Sequence, residues 1–211
     1  MIVDVGYAAL LIGMVVAIYV VIGSFLGASQ RAPELILSAR YGFYTIPFLL
    51  FMSTLALVYS FVTHDFSVRY VAENSNLAMP WEYTWVAFYA GNAGSLLFIA
   101  LVFSVLSVIA VLSIRRSLPY TTPYTVSLLA LVLAFFLAVM FFLANPLERL
   151  DFLPSDGRGI NPLLIHFGMF IHPPIQMLGL ISVAVPFSIG IGALLAKRGG
   201  RDEWVDAGRA W

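Results

Sequence analysis

Five long hydrophobic runs constrain this chain more than any other feature of its sequence. An α-helix rises about 1.5 Å per residue, so about 20 apolar residues are needed to cross roughly 30 Å of hydrocarbon. Each run is long enough and almost free of charge, whereas the strands of a membrane β-barrel would show short alternating segments. The sequence therefore predicts an all-α fold, a polytopic membrane helix bundle with about five transmembrane helices. The predicted spans are residues 5–28, 41–63, 94–114, 124–144 and 174–196.

The composition agrees with a protein that is surrounded by a lipid bilayer. Hydrophobic residues make up 61% of the chain and charged residues 10%, which is far outside the range of a soluble domain. No span carries an acidic residue, a basic residue or a histidine near its middle, unlike most proton pumps and ion-coupled transporters. The chain has no cysteine, so a thiolate metal site and a covalent haem attachment sequence are both excluded from it. We expect a single membrane domain over residues 1–211 and no nucleic-acid partner.

Lysine and arginine predict the orientation, because membrane proteins retain them preferentially on the cytoplasmic side. With the amino terminus outside, three arginines, Arg69, Arg149 and Arg158, fall on the outer side and eight basic residues fall on the inner side. The outer loops are then residues 64–93 and 145–173. We expect an integral protein of the bacterial inner membrane, or of an organellar equivalent, with both loops on the periplasmic side. The inner residues are Arg31, Arg40, Arg115, Arg116, Lys197, Arg198, Arg201 and Arg209.

His172 is the histidine whose neighbours favour a binding role. Pro173 and Pro174 follow it, and two consecutive prolines fit only in the first turn of a helix, here the fifth span. The residue before a proline is pushed towards an extended conformation, so we expect an imidazole held at the membrane surface. Such an imidazole suits axial ligation of haem iron. A polar residue at the membrane interface is the alternative that the residues alone leave open.

The other histidines and a group of aromatic residues give weaker signals. His64 follows the second span and fits a solvated helix end. His166 lies six residues before His172, and six helical steps of 100° would place the two side chains about 240° apart, so no shared metal site is predicted. Aromatic residues before the third span fit interface anchors, although they could also stack on a porphyrin. They are Trp81, Tyr83, Trp85, Phe88 and Tyr89.

Two loop motifs resemble those of the CcmF/NrfE-type cytochrome c haem lyase family. In that family one outer loop reads Asp-Phe-Ser-Val-x-Tyr-Val-Ala and then Ser-Asn. The next outer loop reads Asn-Pro-x-Leu, with a His-Pro-Pro whose histidine lies eleven positions beyond the asparagine. This chain reproduces both motifs, their order and their spacing. The matching residues are Asp65, Phe66, Ser67, Val68, Tyr70, Val71, Ala72, Ser75 and Asn76, then Asn161, Pro162, Leu164, His172, Pro173 and Pro174.

The resemblance implies roles for His172 and Arg158. In the family the His-Pro-Pro histidine is regarded as an outer-side ligand for haem that arrives from a haem chaperone, so His172 would bind the haem iron. Arg158 would pair with a haem propionate, unless it balances Asp151 or Asp156. Haem held in this way would present its vinyl groups to the two thiols of an apocytochrome c, which is catalysis by orientation.

The chain also departs from the family pattern. Ala93 stands where the family has the glutamate of Gly-x-Glu-Gly-Ser, and Ile165 replaces a usual glutamine. After His-Pro-Pro, Met177 and Leu180 replace the tyrosines of the pattern Tyr-x-Gly-Tyr-Val-Gly. These changes count against any step that needs the lost carboxylate or the lost phenols.

The resemblance covers nearly all of this chain but only about the first third of a typical family member. The family's tryptophan-rich outer segment, its second outer histidine and its membrane-embedded histidines for haem b fall in the other part. We expect a split-gene product or an incomplete polypeptide that is not active without the remaining lyase portion or subunit. Two functions follow. The chain is part of a membrane haem lyase, or it is a haem-free structural or assembly subunit that retains a lyase-like scaffold.

Overall fold

The structure is a computed structural model that describes residues 1–200 and 202–211. Within these residues, five helical segments are long and apolar enough to cross a membrane, which confirms the predicted all-α membrane bundle. Four of the segments are single helices, and the fifth, Phe167–Leu195, contains a 3₁₀ turn followed by α7 and α8. The helices are α1 (Ile2–Ser29), α2 (Pro33–Val62), α3 (Arg69–Asn74), α4 (Tyr83–Ala90), α5 (Asn92–Ile114), α6 (Thr122–Phe142), α7 (His172–Ser182), α8 (Ala184–Leu195) and α9 (Glu203–Arg209).

Helix α2 begins at Pro33, well before residue 41, where the hydrophobic run begins. The additional turns include Glu34 and Arg40, whose charges kept this segment out of the predicted span. A proline suits the first helical position because the N–H that it lacks would have no partner there. The helix therefore extends beyond its apolar part, and only a short turn separates it from α1.

The fifth segment is divided into two helices at Val183. Pro186 explains the break, because it has no N–H for the carbonyl of Ser182, and its ring would clash with that carbonyl in a continuous helix. Helix α7 accordingly ends at Ser182. Helix α2 also contains a proline, Pro47, yet it is assigned as one helix from Pro33 to Val62.

Small residues and serine hydroxyls join the first helices closely. A β-carbon built on Gly6 of α1 would lie 2.5 Å from the β-carbon of Ala56 in α2, so the crossing requires glycine there. Close to this crossing, the Ser53 hydroxyl donates a 2.7 Å hydrogen bond to the Gly6 carbonyl. Helices without a hydrophobic driving force between them associate through such close packing and interhelical hydrogen bonds.

Helix α6 packs on the other side of α1 and contacts α5 and α8 as well. Two serine hydroxyls cross the α1–α6 interface. Ser24 donates to the Pro123 carbonyl at 2.8 Å, and Ser127 donates to the Val21 carbonyl at 2.8 Å. The long side chains in the middle of the bundle are fully buried and apolar, among them Leu10, Phe43, Phe103, Leu133 and Leu137.

The amino terminus and the two long loops lie at the same end of the bundle. Asp4 pairs with the terminal ammonium group at 2.8 Å and with Arg149, from the second long loop, at 3.0 Å. That this end faces the periplasm remains a prediction from the distribution of lysine and arginine.

Candidate functional site

The first motif begins at the end of α2. His64 has a φ of 52°, in the left-handed region, and the Asp65 N–H donates to the Ser60 carbonyl at 2.8 Å. This is the usual geometry in which a helix end satisfies its free carbonyls. The Asp65 carboxylate then accepts hydrogen bonds from the Ser67 N–H at 3.2 Å and from the Ser67 hydroxyl at 2.5 Å. Asp65 and Ser67 thus fix the chain direction after the helix.

Tyr70 fixes the junction between α4 and α5. Its ring is buried, and its hydroxyl lies 3.2 Å from the carbonyl oxygens of both Phe88 and Gly91 while it accepts from the Gly91 N–H at 2.9 Å. Burial away from water raises the pKa of Tyr70 to about 12, because the phenolate would lose its hydration. The motif tyrosine is therefore a neutral structural group at neutral pH.

The two loops join through a short antiparallel bridge between Val68 and Arg149. The Arg69 N–H donates to the Glu148 carbonyl at 2.8 Å, and the Leu150 N–H donates to the Ser67 carbonyl at 2.8 Å. The Arg69 guanidinium also pairs with the Glu148 carboxylate at 2.9 Å. Because both side chains are about half exposed, this ion pair adds little stability, and the backbone bonds carry the connection.

A second contact between the loops lies beside Ser75. The Arg158 N–H donates to the Ala72 carbonyl at 2.7 Å, and the Gly159 N–H donates to the Ser75 carbonyl at 3.1 Å. A β-carbon on Gly157 would lie 2.0 Å from the Ser75 carbonyl oxygen, so only glycine fits there. Gly159 has a φ of 82°, and a β-carbon built on it would lie 2.7 Å from the side-chain nitrogen of Asn76. The first motif and the start of the second loop therefore form one packed unit.

The second motif is exposed by comparison. The Asn161 carboxamide accepts from the Leu163 N–H at 3.0 Å and caps the 3₁₀ turn Pro162–Leu164. A second 3₁₀ turn, Phe167–Phe170, begins after His166, whose Nδ1 accepts from the Gly168 N–H at 3.0 Å. Neither turn contains a buried residue. Local hydrogen bonds shape both turns, whose side chains are exposed or only partly buried; Leu164, Met169 and Phe170 pack against the core.

His172 is the first residue of α7, with Pro173 and Pro174 in its first turn. The expected extended conformation at His172 is therefore wrong, although the predicted position of both prolines is confirmed. Proline disfavours a helical residue before it but does not forbid one, and here the start of the helix overrides that preference. The imidazole of His172 is exposed and has no hydrogen-bond partner among residues 1–200 and 202–211.

The other two histidines have different surroundings. The Nδ1 of His64 is buried without a hydrogen-bond partner in the described part of the chain, and its ring lies 5.9 Å from the ring of Phe66. The Nδ1 of His166 is already used in the 3₁₀ turn. His172 therefore has the histidine side chain with the most freedom to accept a ligand.

Arg158 is held by its backbone, while its side chain is exposed. The sequence offers Asp151 and Asp156 as its alternative partners. Neither forms an ion pair with Arg158 within residues 1–200 and 202–211. Asp156 instead accepts from the N–H groups of Leu77 and Gly157, at 2.9 and 2.7 Å.

Several aromatic residues before α5 pack against other parts of the protein, which residues that only anchor a helix at the membrane interface would not do. The Tyr89 hydroxyl donates to the Met169 carbonyl at 2.7 Å, and the ring of Tyr83 lies 5.4 Å from that of Phe170. Partial burial raises the pKa of Tyr89. Trp85 stacks on buried Phe88 with the ring centroids 5.7 Å apart. The sequence reasoning missed the link from Tyr89 to the second loop, since 80 residues separate the two partners and no local pattern signals it.

Trp81 behaves differently from these neighbours, since 82% of its surface is exposed. It retains the freedom either to anchor the loop at a membrane interface or to contact a bound molecule.

The chain is similar to known cytochrome c-type biogenesis proteins. No protein-family model matches the chain. The chain is 38% identical to the cytochrome c-type biogenesis protein CcmF of Pseudomonas fluorescens, over 82% of this chain and 26% of that protein. It is 31% identical to CcmF of Haemophilus influenzae, over 100% of this chain and 33% of that protein. It is 33% identical to the probable NrfE of Escherichia coli, over 82% of this chain and 31% of that protein.

The solved structure of a cytochrome c heme lyase CcmF has the same fold as this chain. The TM-score is 0.85 at 24% identity, and the match covers 100% of this chain and 33% of that one. The curated relatives above are also much longer, since this chain spans 26–33% of their length. The shared fold therefore concerns about a third of a larger protein.

Proposed function

The chain belongs to the CcmF/NrfE type of cytochrome c-type biogenesis protein, and from this premise we propose that it forms part of a membrane cytochrome c haem lyase. In this role it helps hold haem at the outer membrane face for covalent attachment to apocytochrome c. Because it spans 26–33% of the length of its relatives, the complete reaction needs the remaining lyase portion or subunit. The chain contributes positioning of the substrate haem.

The exposed imidazole of His172, unpaired within the described residues, supports this proposal most strongly. It lies at the start of α7, beside the loops, and no described residue occupies its ring nitrogens. A neutral imidazole nitrogen is a common axial ligand of haem iron. Pro173 and Pro174 fix the first turn of the helix, so His172 would meet haem with little loss of backbone freedom.

Arg158 fits the second contact in this proposal. Its backbone N–H is fixed to the Ala72 carbonyl at 2.7 Å, while its guanidinium is exposed. A guanidinium forms strong charge-assisted hydrogen bonds with a carboxylate, and a haem propionate is such a group. His172 and Arg158 would together orient haem through its iron and one propionate.

The proposal implies two further partners. A haem chaperone would deliver haem to the outer face, and apocytochrome c would supply the thiols, since this chain contains no cysteine. Haem supplies the vinyl groups that react with those thiols. The residues of this chain restrict how haem sits, so that the reacting groups meet without a large loss of entropy in the reaction itself.

An absorption spectrum of the purified assembly tests the proposed role of His172. We expect His172→Ala to reduce or shift the haem band and to lower cytochrome c maturation. His166→Ala is the matched control, because His166 also lies in the exposed motif but uses its Nδ1 within the loop, and we expect it to keep the haem band. An unchanged spectrum with full maturation in His172→Ala would contradict the haem role and favour the haem-free assembly subunit.

A further inference from the structure

Helix α7 differs from the helix that continues it. None of the residues from His172 to Ser182 is buried, although they lie in an apolar membrane-spanning segment. Leu180 is 74% exposed and Ile175 is 61% exposed. Helix α8, in contrast, packs against α6 and buries Val185, Ser188, Ile189, Gly192 and Ala193. The outer half of the fifth segment therefore buries none of its residues, whereas the inner half buries one face against α6.

This free surface carries a polar group. Gln176 lies one helical turn beyond His172, is exposed, and forms no side-chain hydrogen bond with any residue that the structure describes. Hydrocarbon offers no hydrogen bonds, so an unpaired amide within the span is unfavourable. A lipid-facing helix would more suitably carry an aliphatic residue at this position.

The residues on the same face allow another helix to approach closely. Gly179 follows Gln176 by three positions, and Val183, which lies between α7 and α8, follows it by seven. Because Val183 has a helical φ of −59° and ψ of −27°, the three lie on one side of the segment. A β-carbon built on Gly179 would meet no atom of residues 1–200 and 202–211 within 4 Å. Glycine on an open face lets two backbones come near each other, and a polar side chain beside it can form an interhelical hydrogen bond. The amide of Gln176 and the open surface at Gly179 therefore favour contact with another helix over contact with lipid.

We propose that this face, formed by Gln176 and Gly179 of α7 and by Val183 directly after it, docks a membrane helix from the remaining part of a CcmF/NrfE-type protein. The partner helix packs its backbone against Gly179 and presents a hydrogen-bonding side chain level with Gln176. The proposal rests on family membership and does not depend on haem binding by His172.

The lengths of the related proteins support this choice of partner. The solved structure with the same fold is matched over 100% of this chain but over only 33% of its own. Further chain is therefore present in such proteins to supply a partner helix. A lipid acyl chain could fill the space beside Gly179, but it could not bond the Gln176 amide. A second copy of this chain is not needed to cover the face, because the related proteins contain further chain that could do so.

A photoreactive leucine analogue at Leu180, next to the proposed face, tests the partner in native membranes. We expect an adduct with a membrane helix whose sequence belongs to a CcmF/NrfE-type protein but lies outside residues 1–211. The same analogue at Phe135 of α6, which is 64% exposed, serves as a comparison for lipid labelling. Adducts at Leu180 with lipid alone, or with a second copy of this chain, would overturn the proposal.

Substitutions on the face provide a second measurement. Gln176→Leu should weaken the association by roughly threefold to thirtyfold, the range of single interhelical hydrogen bonds, and Gly179→Leu should lower the adduct yield through a steric clash. Leu131→Phe, which adds bulk to an exposed position of α6, is the control and should leave the yield unchanged. An unchanged yield in both α7 variants would overturn the proposal. Because the readout is the adduct, a loss of haem absorbance in His172→Ala leaves this result unaffected.

Discussion

The two motifs of this chain have opposite structural roles. Phe66, Tyr70 and Ser75 of the first motif are buried and join the loops to one another and to the bundle. Asn161 and His172 of the second motif are exposed, and the 3₁₀ turns between them contain no buried residue. Motif residues can therefore be required for two different reasons, either to build a scaffold or to meet a ligand.

The difference has a physical basis. A buried hydroxyl such as that of Tyr70 loses its hydration and needs fixed partners, so its identity is set by the protein interior. An exposed imidazole keeps its water until a ligand replaces it. We expect substitutions in the first motif to lower stability, and substitutions in the second to change binding while stability remains nearly constant.

The largest loss of stability is expected from a substitution at the contact between the two loops. Gly157→Ala would place a β-carbon 2.0 Å from the Ser75 carbonyl oxygen and 2.9 Å from that of Ala72. Because backbone would have to move, we expect a loss of about 3 kcal/mol in the free energy of unfolding. Gly200→Ala is the control, since a β-carbon there meets no atom within 4 Å in the part of the chain that the structure describes. Unfolding of the purified protein measures both, and equal stabilities would show that the loops are not packed in this way.

A slightly smaller loss in the free energy of unfolding is expected at alkaline pH. The pKa of Tyr70 rises from 10.0 to about 12 on folding, so the folded state keeps a proton that the unfolded state loses. Stability should therefore be intact below pH 10 and fall as the pH rises towards 12, by at most about 2–3 kcal/mol from this group.

Tyr70→Phe is the control for the alkaline effect. It leaves the Gly91 N–H without its phenolic acceptor, so the variant is less stable at neutral pH, but it should lack the part of the alkaline loss that Tyr70 causes. Parallel stability curves of the two proteins between pH 9 and pH 12 would contradict the structural role assigned to this tyrosine.

Ser75→Ala should have a moderate effect. The Ser75 hydroxyl is fully buried and donates to the Val71 carbonyl at 2.8 Å. This carbonyl also accepts from the Ser75 N–H, so it keeps one partner, and we expect a loss of about 1 kcal/mol. Chemical unfolding measures the difference. A loss as large as that of Gly157→Ala would mean that the hydroxyl has a further partner.

The smallest effect is expected in the second motif. Asn161→Ala removes the cap of an exposed 3₁₀ turn, and water can replace the lost bond to the Leu163 N–H. We expect the free energy of unfolding to change by about 0.5 kcal/mol or less. A larger loss of stability would contradict the division between a structural and a binding motif, because it would show that both motifs support the fold.

Several features of the candidate site could be predicted from the sequence. The spacing of the prolines after His172 placed them in the first turn of a helix, because proline is compatible with few other helical positions. The two motifs were identified from residue identity and spacing. The sequence did not predict that Tyr89 would bond to Met169 or that Gly157 would pack against Ser75, since these contacts join residues about 80 positions apart.

The sequence by itself determined that this protein is an α-helical membrane bundle, because in hydrocarbon each backbone group must bond within its own helix and each span must be long and apolar. Only the tertiary structure decided which polar residues of the loops are buried and which are exposed. The reason is that burial depends on contacts between distant segments, which leave no periodic pattern along the chain. The same reason explains why the free surface of α7 became visible only when the other helices were in position.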